Sequence, residues 1–148
     1  MLTAINQRLG KRIAREESGF TLIELLVVLV IIGVLLAIAI PSYLGFQKKA
    51  QQTAAMSDVR SAIPDAEAWY SDHNSYTGMS AALLKSTYDS GLVVSSGGST
   101  GISKADNNGD ATGNTFCISA VSGGHWAHVV GPGGQVQNDS TASTDPCP

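Results

Sequence analysis

The stretch that decides the fold covers residues 19–43 and reads GFTLIELLVVLVIIGVLLAIAIPSY. Residues 25–40 carry no polar side chain, and no charged residue occurs between Glu24 and Lys48. A helix made of the 21 residues 20–40 would be about 30 Å long, which matches the hydrocarbon core of a bilayer. The sequence therefore predicts a membrane-spanning helix with a single carboxylate near its start.

Charge is distributed unevenly on the two sides of this helix. The 148 residues are only 14% charged, against about 25% in ordinary soluble domains, and the net charge is -3. Residues 1–19 hold four basic and two acidic residues, whereas the rest holds five basic and ten acidic ones. A basic segment before an apolar helix indicates that the N-terminal side stays in the cytoplasm. The composition argues against a simple soluble enzyme and against a nucleic-acid-binding protein.

Two processing sites compete along the apolar run. Ala37-Ile38-Ala39 has the small-x-small form that the secretory signal peptidase reads, and cleavage after Ala39 would release a soluble exported protein. However, the run is long for a signal peptide, and Glu24 interrupts it. The other site is the bond between Gly19 and Phe20, where charged sequence gives way to apolar sequence.

The sequence at this second site resembles the N-terminal cleavage and methylation motif of type IV prepilins. The resemblance rests on Gly19-Phe20-Thr21-Leu22-Ile23-Glu24-Leu25-Leu26, continues through Gly33 and residues 40–43, and is strong over about residues 15–50. It implies that a prepilin peptidase cuts after Gly19 and methylates the new amino terminus of Phe20. It also implies an α+β pilin fold, with a long bent N-terminal helix packed on a small antiparallel sheet of three to four strands.

The resemblance also assigns roles inside the apolar run. In filaments of similar proteins the glutamate that Glu24 matches pairs with the terminal amine of a neighbouring subunit, which neutralises two buried charges and sets axial register. Gly33 and Pro41 match positions that bound a stretch of helix that loosens when subunits leave the membrane, and proline lacks the N–H that would hold it. Without the family, Glu24 is an interfacial residue, and Gly33 and Pro41 are packing and boundary residues.

An amphipathic pattern continues the helix beyond Pro41. Pro64 interrupts this pattern, and an interior proline costs about 3 kcal/mol or kinks the helix. We therefore expect one long helix over about residues 20–71, with a bend or restart near Ile63. The apolar residues that recur at spacings of three and four, and so predict the face that packs on a sheet, are Met56, Val59, Ile63, Ala66 and Tyr70.

The second half of the chain predicts a loop region followed by an antiparallel sheet. Residues 72–114 are rich in Ser, Gly, Asn and Asp and are interpreted as loop, with a strand candidate at residues 92–94. Three strand segments separated by glycine-rich turns predict a meander. The segments are residues 116–121, 125–130 and 135–137, with turns at residues 123–124 and 131–134.

These patterns divide the chain into three parts. Residues 1–19 are the expected leader peptide, residues 20–47 the transmembrane and filament-core half of the helix, and residues 48–148 a globular head. The head is expected to consist of an amphipathic helix half, a loop, and a sheet with a C-terminal disulfide loop, over residues 48–71, 72–114 and 115–148.

The two cysteines, Cys117 and Cys147, suit an exported protein, in which a pair usually forms a disulfide. The closed loop would hold about 30 residues and contribute roughly 3 to 4 kcal/mol. Many type IV pilins carry a similar C-terminal pair. Two free thiols, or a bond from Cys117 to another chain, are the alternatives.

The sequence presents no catalytic constellation, so we expect neither enzyme activity nor a cofactor. His125 and His128 are three apart on a predicted strand and would point to opposite faces, which is poor geometry for sharing a metal.

A weak calcium candidate lies at Asp106, Asn108 and Asp110, which repeat the alternate oxygen ligands that open a calcium loop. The glycine expected next is Ala111, however, and no bidentate glutamate closes the loop. The favoured interpretation is an Asx-rich turn without a metal.

The leading interpretation is a structural subunit of an extracellular type IV pilus that serves motility, adhesion or DNA uptake. We expect a single-pass precursor in the plasma membrane with its head outside the cytoplasm, and then a pilus at the cell surface. Direct nucleic-acid binding by one subunit is not expected, because five basic residues are scattered among ten acidic ones. The expected partners are further copies of the chain in a helical filament, the prepilin peptidase, the pilus assembly platform with its ATPase, and the membrane before assembly.

Two other functions stay open. Within the family, the chain could be a pseudopilin of a type II secretion or competence machine. From a different class comes the exported soluble protein cleaved after Ala39.

Overall fold

A computed structural model describes residues 19–96, 100–139 and 144–148. The leader predicted over residues 1–19 lies outside the described residues except for Gly19.

The chain forms two compact units, Met1–Tyr43 and Leu44–Pro148, with the boundary inside the first helix. A long N-terminal helix and an antiparallel sheet confirm the expected α+β fold. The elements are α1 (Leu22–His73), α2 (Ala81–Thr87), β1 (Gly101–Asp106), β2 (Phe116–Ser122), β3 (His125–Gly131) and β4 (Gln137–Asp139).

In the first unit the apolar part of α1 is exposed on every side. The large apolar side chains from Leu22 to Ile40 are all at least 46% exposed. By length and composition this helix could cross a membrane. A continuous apolar surface of this kind needs a covering of lipid or of other apolar helices.

In the second unit α1 packs on the sheet through a face that differs from the predicted one. Val59 and Ala66 are buried as expected, but Met56, Ile63 and Tyr70 are only partly buried at its flanks. The prediction favoured large residues, whereas small residues such as Ala55 and Ala62 are the fully buried ones on the helix face that shares the core with the sheet. The buried residues of α1 are Ala55, Val59, Ala62, Ala66 and Trp69.

Helix α1 continues through Pro64, so the restart expected near Ile63 is wrong. Pro64 has no N–H, so the carbonyl of Arg60 lacks its helical hydrogen-bond donor. Because Pro64 is exposed, water can bond to that carbonyl instead. The helix predicted to end near residue 71 ends at His73.

The prediction of a loop over residues 72–114 is wrong in two places, since the segment contains α2 and β1. Helix α2 begins after Ser80, whose hydroxyl accepts a hydrogen bond from the N–H of Leu83 at 3.3 Å. It buries Leu84 in the core of the head. The strand expected at residues 92–94 amounts to an isolated parallel bridge between Val94 and Ile102.

The sheet is an antiparallel meander in the order β1-β2-β3-β4. Every residue of β2 is buried, on both faces of the sheet. Phe116, Ile118 and Ala120 point into the core that contains the α1 residues. Cys117 and Ser119 alternate with them and lie on the other face, here called the outer face.

Strand β1 contains a bulge. Ile102 pairs with Ala120 and Lys104 pairs with Ser119, so Ser103 is an extra residue on β1. The shift lets Ile102 and Ala105, three residues apart, both reach the core.

The turn between β2 and β3 requires glycine. Gly123 and Gly124 have φ angles of 55° and 81°, the left-handed values of a two-residue hairpin turn. A Cβ atom on Gly123 would overlap the side-chain amide of Gln51 on α1, whereas one on Gly124 would meet nothing within 4 Å.

Candidate functional site

The predicted cleavage bond lies directly before α1. Gly19 and Phe20 are outside the helix, and the side chain of Phe20 is 85% exposed. A peptidase needs an accessible, non-helical substrate, and this junction meets both requirements.

The first turn of α1 is closed by a capping box. The carboxylate oxygen Oε2 of Glu24 accepts hydrogen bonds from the backbone N–H of Thr21 at 2.9 Å and from its hydroxyl at 2.7 Å. In return, the N–H of Glu24 donates to the hydroxyl oxygen of Thr21 at 3.3 Å. Thr21 is therefore the N-cap, and Glu24 is the third helical residue, which reaches back to it.

This arrangement fixes Glu24 at the start of the apolar helix. Within the described residues, Oε2 takes both bonds from Thr21, and Oε1 has no hydrogen-bond donor. The positive end of the helix dipole further favours a carboxylate at this position. The carboxylate is thus held in place with one oxygen available to a second donor.

Sequence reasoning singled out Glu24 and missed Thr21. The Thr-x-x-Glu pattern of residues 21–24 directly before an apolar run could have identified the pair, because it is the sequence signature of a capping box.

Gly33 and Pro41 both lie inside α1. Among the residues that the structure describes, a Cβ atom on Gly33 would meet nothing within 4 Å, so none of them requires glycine there. Pro41 lacks the N–H that would bond the carbonyl of Ala37. Loosening of the helix between the two residues stays a prediction.

Cys117 and Cys147 are joined by a disulfide, with Cα atoms 5.8 Å apart. Cys117 lies in the middle strand of the sheet, and Cys147 is the penultimate residue. Both are buried. The bond therefore holds the C-terminal end of the chain against the outer face of the sheet.

Ser119, His128 and Asp139 lie on three adjacent strands but form no catalytic triad. Nδ1 of His128 contacts Oδ2 of Asp139, and Ser119 is the register partner of His128. The hydroxyl of Ser119 is fully buried and makes no hydrogen bond to any residue in the described ranges. A nucleophile needs both a bond to its base and access to substrate, and Ser119 has neither.

The sequence candidates for a metal are not brought together. His125 pairs with Ser122, and His128 pairs with Ser119. Across residues 19–96, 100–139 and 144–148, no three His, Cys, Asp or Glu side chains are placed to hold a metal ion.

In the loop of the calcium candidate, the carboxylates of Asp106 and Asp110 bind to nearby groups of the same chain. Asp106 accepts from the N–H of Asn108 at 2.9 Å and pairs with Lys104 at 3.2 Å. Asp110 accepts from the hydroxyl and N–H of Thr112 and from the N–H groups of Asn114 and Thr115. These bonds, led by those from Thr112, lower the pKa of Asp110 to about 2. The geometry is that of Asx turns.

Asp65 on α1 and Asp89, which follows α2, lie close enough for their charges to interact. Oδ2 of Asp65 is buried and has no hydrogen-bond partner in the described part of the chain, and the same holds for Nε1 of Trp69 one turn later. Burial raises the pKa of Asp65, and the negative charge of Asp89 adds to the shift.

Comparison with known proteins supports the resemblance of the N-terminal sequence to the prepilin methylation motif. The family described as the prokaryotic N-terminal methylation motif matches residues 14–40. The type IV wide pilus major component PilA4 of Thermus thermophilus is 43% identical over 70 residues, which cover 47% of this chain and 53% of that protein.

Over about half of its length, the chain is similar to type IV pilins.

Other relatives of the chain are a secretion-system protein and a fimbrial protein. The type II secretion system core protein G of Aeromonas hydrophila is 36% identical over 77 residues, covering 49% of this chain and 54% of that protein. The fimbrial protein EcpC of Eikenella corrodens is 35% identical over 92 residues, covering 58% of this chain and 60% of that protein. These relatives are pilus, fimbrial or secretion-system components and not enzymes.

The chain spans about half the length of the curated relatives it matches. No solved structure gives a significant match. Its apolar N-terminal helix fits a membrane-anchored precursor of a surface pilus.

Proposed function

We propose that the chain is the precursor of a structural subunit that polymerises into an extracellular type IV pilus. A prepilin peptidase removes residues 1–19 and methylates Phe20. The subunit stays in the plasma membrane through residues 20–40, with the head outside the cytoplasm, until the assembly platform and its ATPase add it to the filament.

The observation that supports this proposal most directly is the exposed apolar segment of α1, which has one carboxylate held by hydrogen bonds at its start. An isolated polypeptide in water could not keep so much apolar surface uncovered. The membrane would cover it in the precursor, and the same helices of neighbouring subunits would cover it in a filament.

Glu24 is the proposed contact that sets the position of one subunit against the next. The methylated amine of Phe20 is a cation, and the unoccupied Oε1 of Glu24 is an acceptor for it. In apolar surroundings each charge alone would be costly, whereas the pair neutralises both. The capping box supports this role because it holds the carboxylate at the end of the helix where the amine of a neighbour would arrive.

The test combines mass spectrometry with electron microscopy. The mature chain should begin at N-methylated Phe20, and Glu24→Ala cells should retain the inserted subunit but make few filaments. Glu67→Ala, which removes an exposed acid from the head half of α1, is the matched control and should leave filament number unchanged. A mature chain that begins at Ile40 would establish cleavage after Ala39 and overturn the proposal.

The second candidate is a pseudopilin of a type II secretion or competence machine. The similarity to the Aeromonas core protein G favours it, whereas the C-terminal disulfide favours a pilus subunit. Deletion of the gene separates the two functions: loss of surface filaments indicates the pilus, and retention of secreted proteins inside the cell indicates the secretion machine.

A further inference from the structure

Two lysines follow the apolar part of α1 without any acidic partner. In the second unit, Leu44 and Phe46 are 50% and 72% exposed, and Lys48 and Lys49, which follow after Gln47, are exposed as well. Neither lysine makes an ion pair with any residue that the structure describes. Their ammonium groups are thus available to an external anion.

The charge around these lysines is unlike that of the rest of the head. The next charged residue after Lys49 is Asp58, so residues 25–57 have Lys48 and Lys49 as their entire charge. Residues 58–148 hold three basic and nine acidic residues. An anionic surface would therefore attract the lysine pair and repel the remainder of the head.

The order of residues is that of a membrane boundary. Exposed apolar and aromatic side chains come first and lysines follow, which is the arrangement found where a helix leaves the hydrocarbon core for the headgroup layer. Lysine stems can lie along apolar surface while the ammonium groups reach the phosphates. Being adjacent on a helix, the two side chains point about 100° apart and could contact separate headgroups.

We propose that Lys48 and Lys49 bind the phosphate groups of anionic phospholipids on the side of the membrane where the head lies. This inference rests on the proposed function, because it takes residues 20–40 to span the membrane. Direct continuity with that segment favours lipid over a free anion or an acidic partner protein. The contact holds the head outside the bilayer and adds to the work of extracting a subunit.

The experiment uses the mature chain beginning at Phe20, so that the basic residues of the leader do not contribute. The purified protein in detergent is titrated with phosphatidylglycerol or phosphatidylcholine, and bound lipid is counted by native mass spectrometry. Each lysine should contribute about fivefold in affinity, so Lys48→Gln/Lys49→Gln should bind phosphatidylglycerol roughly twenty-five-fold more weakly. Phosphatidylcholine binding should not change.

Two control variants separate this site from general electrostatics. Lys48→Arg/Lys49→Arg keeps both charges and should bind phosphatidylglycerol as the parent does. Arg60→Gln removes an exposed cation from the same helix and should also leave binding unchanged. Equal loss in Arg60→Gln, or full binding in the double glutamine variant, would overturn the proposal, as would displacement of phosphatidylglycerol by millimolar inorganic phosphate.

Failure of this inference can be told apart from failure of the proposed function. Protease protection of the same chain in vesicles reports insertion of residues 20–40. A chain that inserts but shows no preference for anionic lipid contradicts only the lysine site, whereas a chain that does not insert contradicts the membrane-anchored precursor itself.

Discussion

Glu24 accepts two hydrogen bonds from Thr21, one from the backbone N–H at 2.9 Å and one from the hydroxyl at 2.7 Å. The two residues close the first turn of α1 against each other and leave Oε1 of Glu24 open. Thr21 is therefore the residue that determines where the carboxylate of Glu24 lies.

Removing the hydroxyl of Thr21 should loosen the first turn without removing Glu24. Thr21→Val keeps the shape of the side chain but loses both hydroxyl bonds, a capping loss of about 1 kcal/mol. Amide hydrogen exchange of Glu24 in micelles should become about fivefold faster. Thr21→Ser retains the hydroxyl and should exchange at the parental rate, and unchanged exchange in the valine variant would show that the capping box does not stabilise the turn.

Loss of the disulfide should destabilise the head. Replacing Cys117 and Cys147 together by alanine releases a loop with a sequence separation of 30 residues, and the free energy of unfolding should fall by about 3 kcal/mol. Denaturant unfolding of the mature chain in detergent, followed by tryptophan fluorescence, measures this change. Treating the parent with a thiol reductant should produce the same shift, and parent and variant should then unfold at the same midpoint.

Gly123 and Gly124 should differ in their response to alanine although both have positive φ angles. Gly124→Ala introduces backbone strain alone, about 1 kcal/mol. Gly123→Ala also forces the flexible end of the Gln51 side chain to shift and should therefore cost slightly more. Denaturant unfolding should rank them in this order, and Gln51→Ala should recover part of the loss in Gly123→Ala only. Equal costs at the two positions would contradict the contact.

Asp110 should link the stability of the head to acid pH. Its pKa of about 2 lies below the ordinary 3.8, so its contribution to stability is present above pH 3.8 and is lost as the pH falls through 2. Carboxyl NMR should find a titration midpoint near 2. In Asp110→Asn the decline in stability between pH 4 and pH 2 should be shallower than in the parent, and an identical slope would argue against the bonds from Thr112.

Asp65 should have the opposite effect. Burial and the charge of Asp89 raise its pKa, so its favourable contribution is present below pH 3.8, where it is protonated, and is lost as the pH rises through the raised value. Asp65→Asn should therefore increase the free energy of unfolding at pH 7 and give no gain at pH 3. Glu67→Gln, an exposed neighbour, should change stability by less than about 0.5 kcal/mol.

The parts of the fold that could be predicted are those with regular periodicity. Helix α1 follows from an apolar run and a 3.6-residue pattern, and the hairpin of β2 and β3 follows from alternation around Gly123-Gly124. Strand β1 was missed because the bulge at Ser103 places Ile102 and Ala105, three residues apart, on the same face. Strand prediction from the alternation of apolar and polar residues does not detect such a strand.

Packing against the sheet was harder to predict than the helix itself. Ala55 and Ala62 carry little apolar surface, so hydrophobicity gave the larger Met56 and Ile63 more weight. The distance between a helix and a sheet decides which helix residues lie at the centre of their contact. That distance depends on the side chains of the sheet as well as on those of the helix.

The disulfide also determines how the head would carry mechanical load. A pull on the C-terminus passes from Cys147 into Cys117 in the middle strand of the sheet and bypasses β3 and β4. The short strand β4 therefore cannot be peeled away one hydrogen bond at a time, and the force must shear β2 from neighbours on both sides.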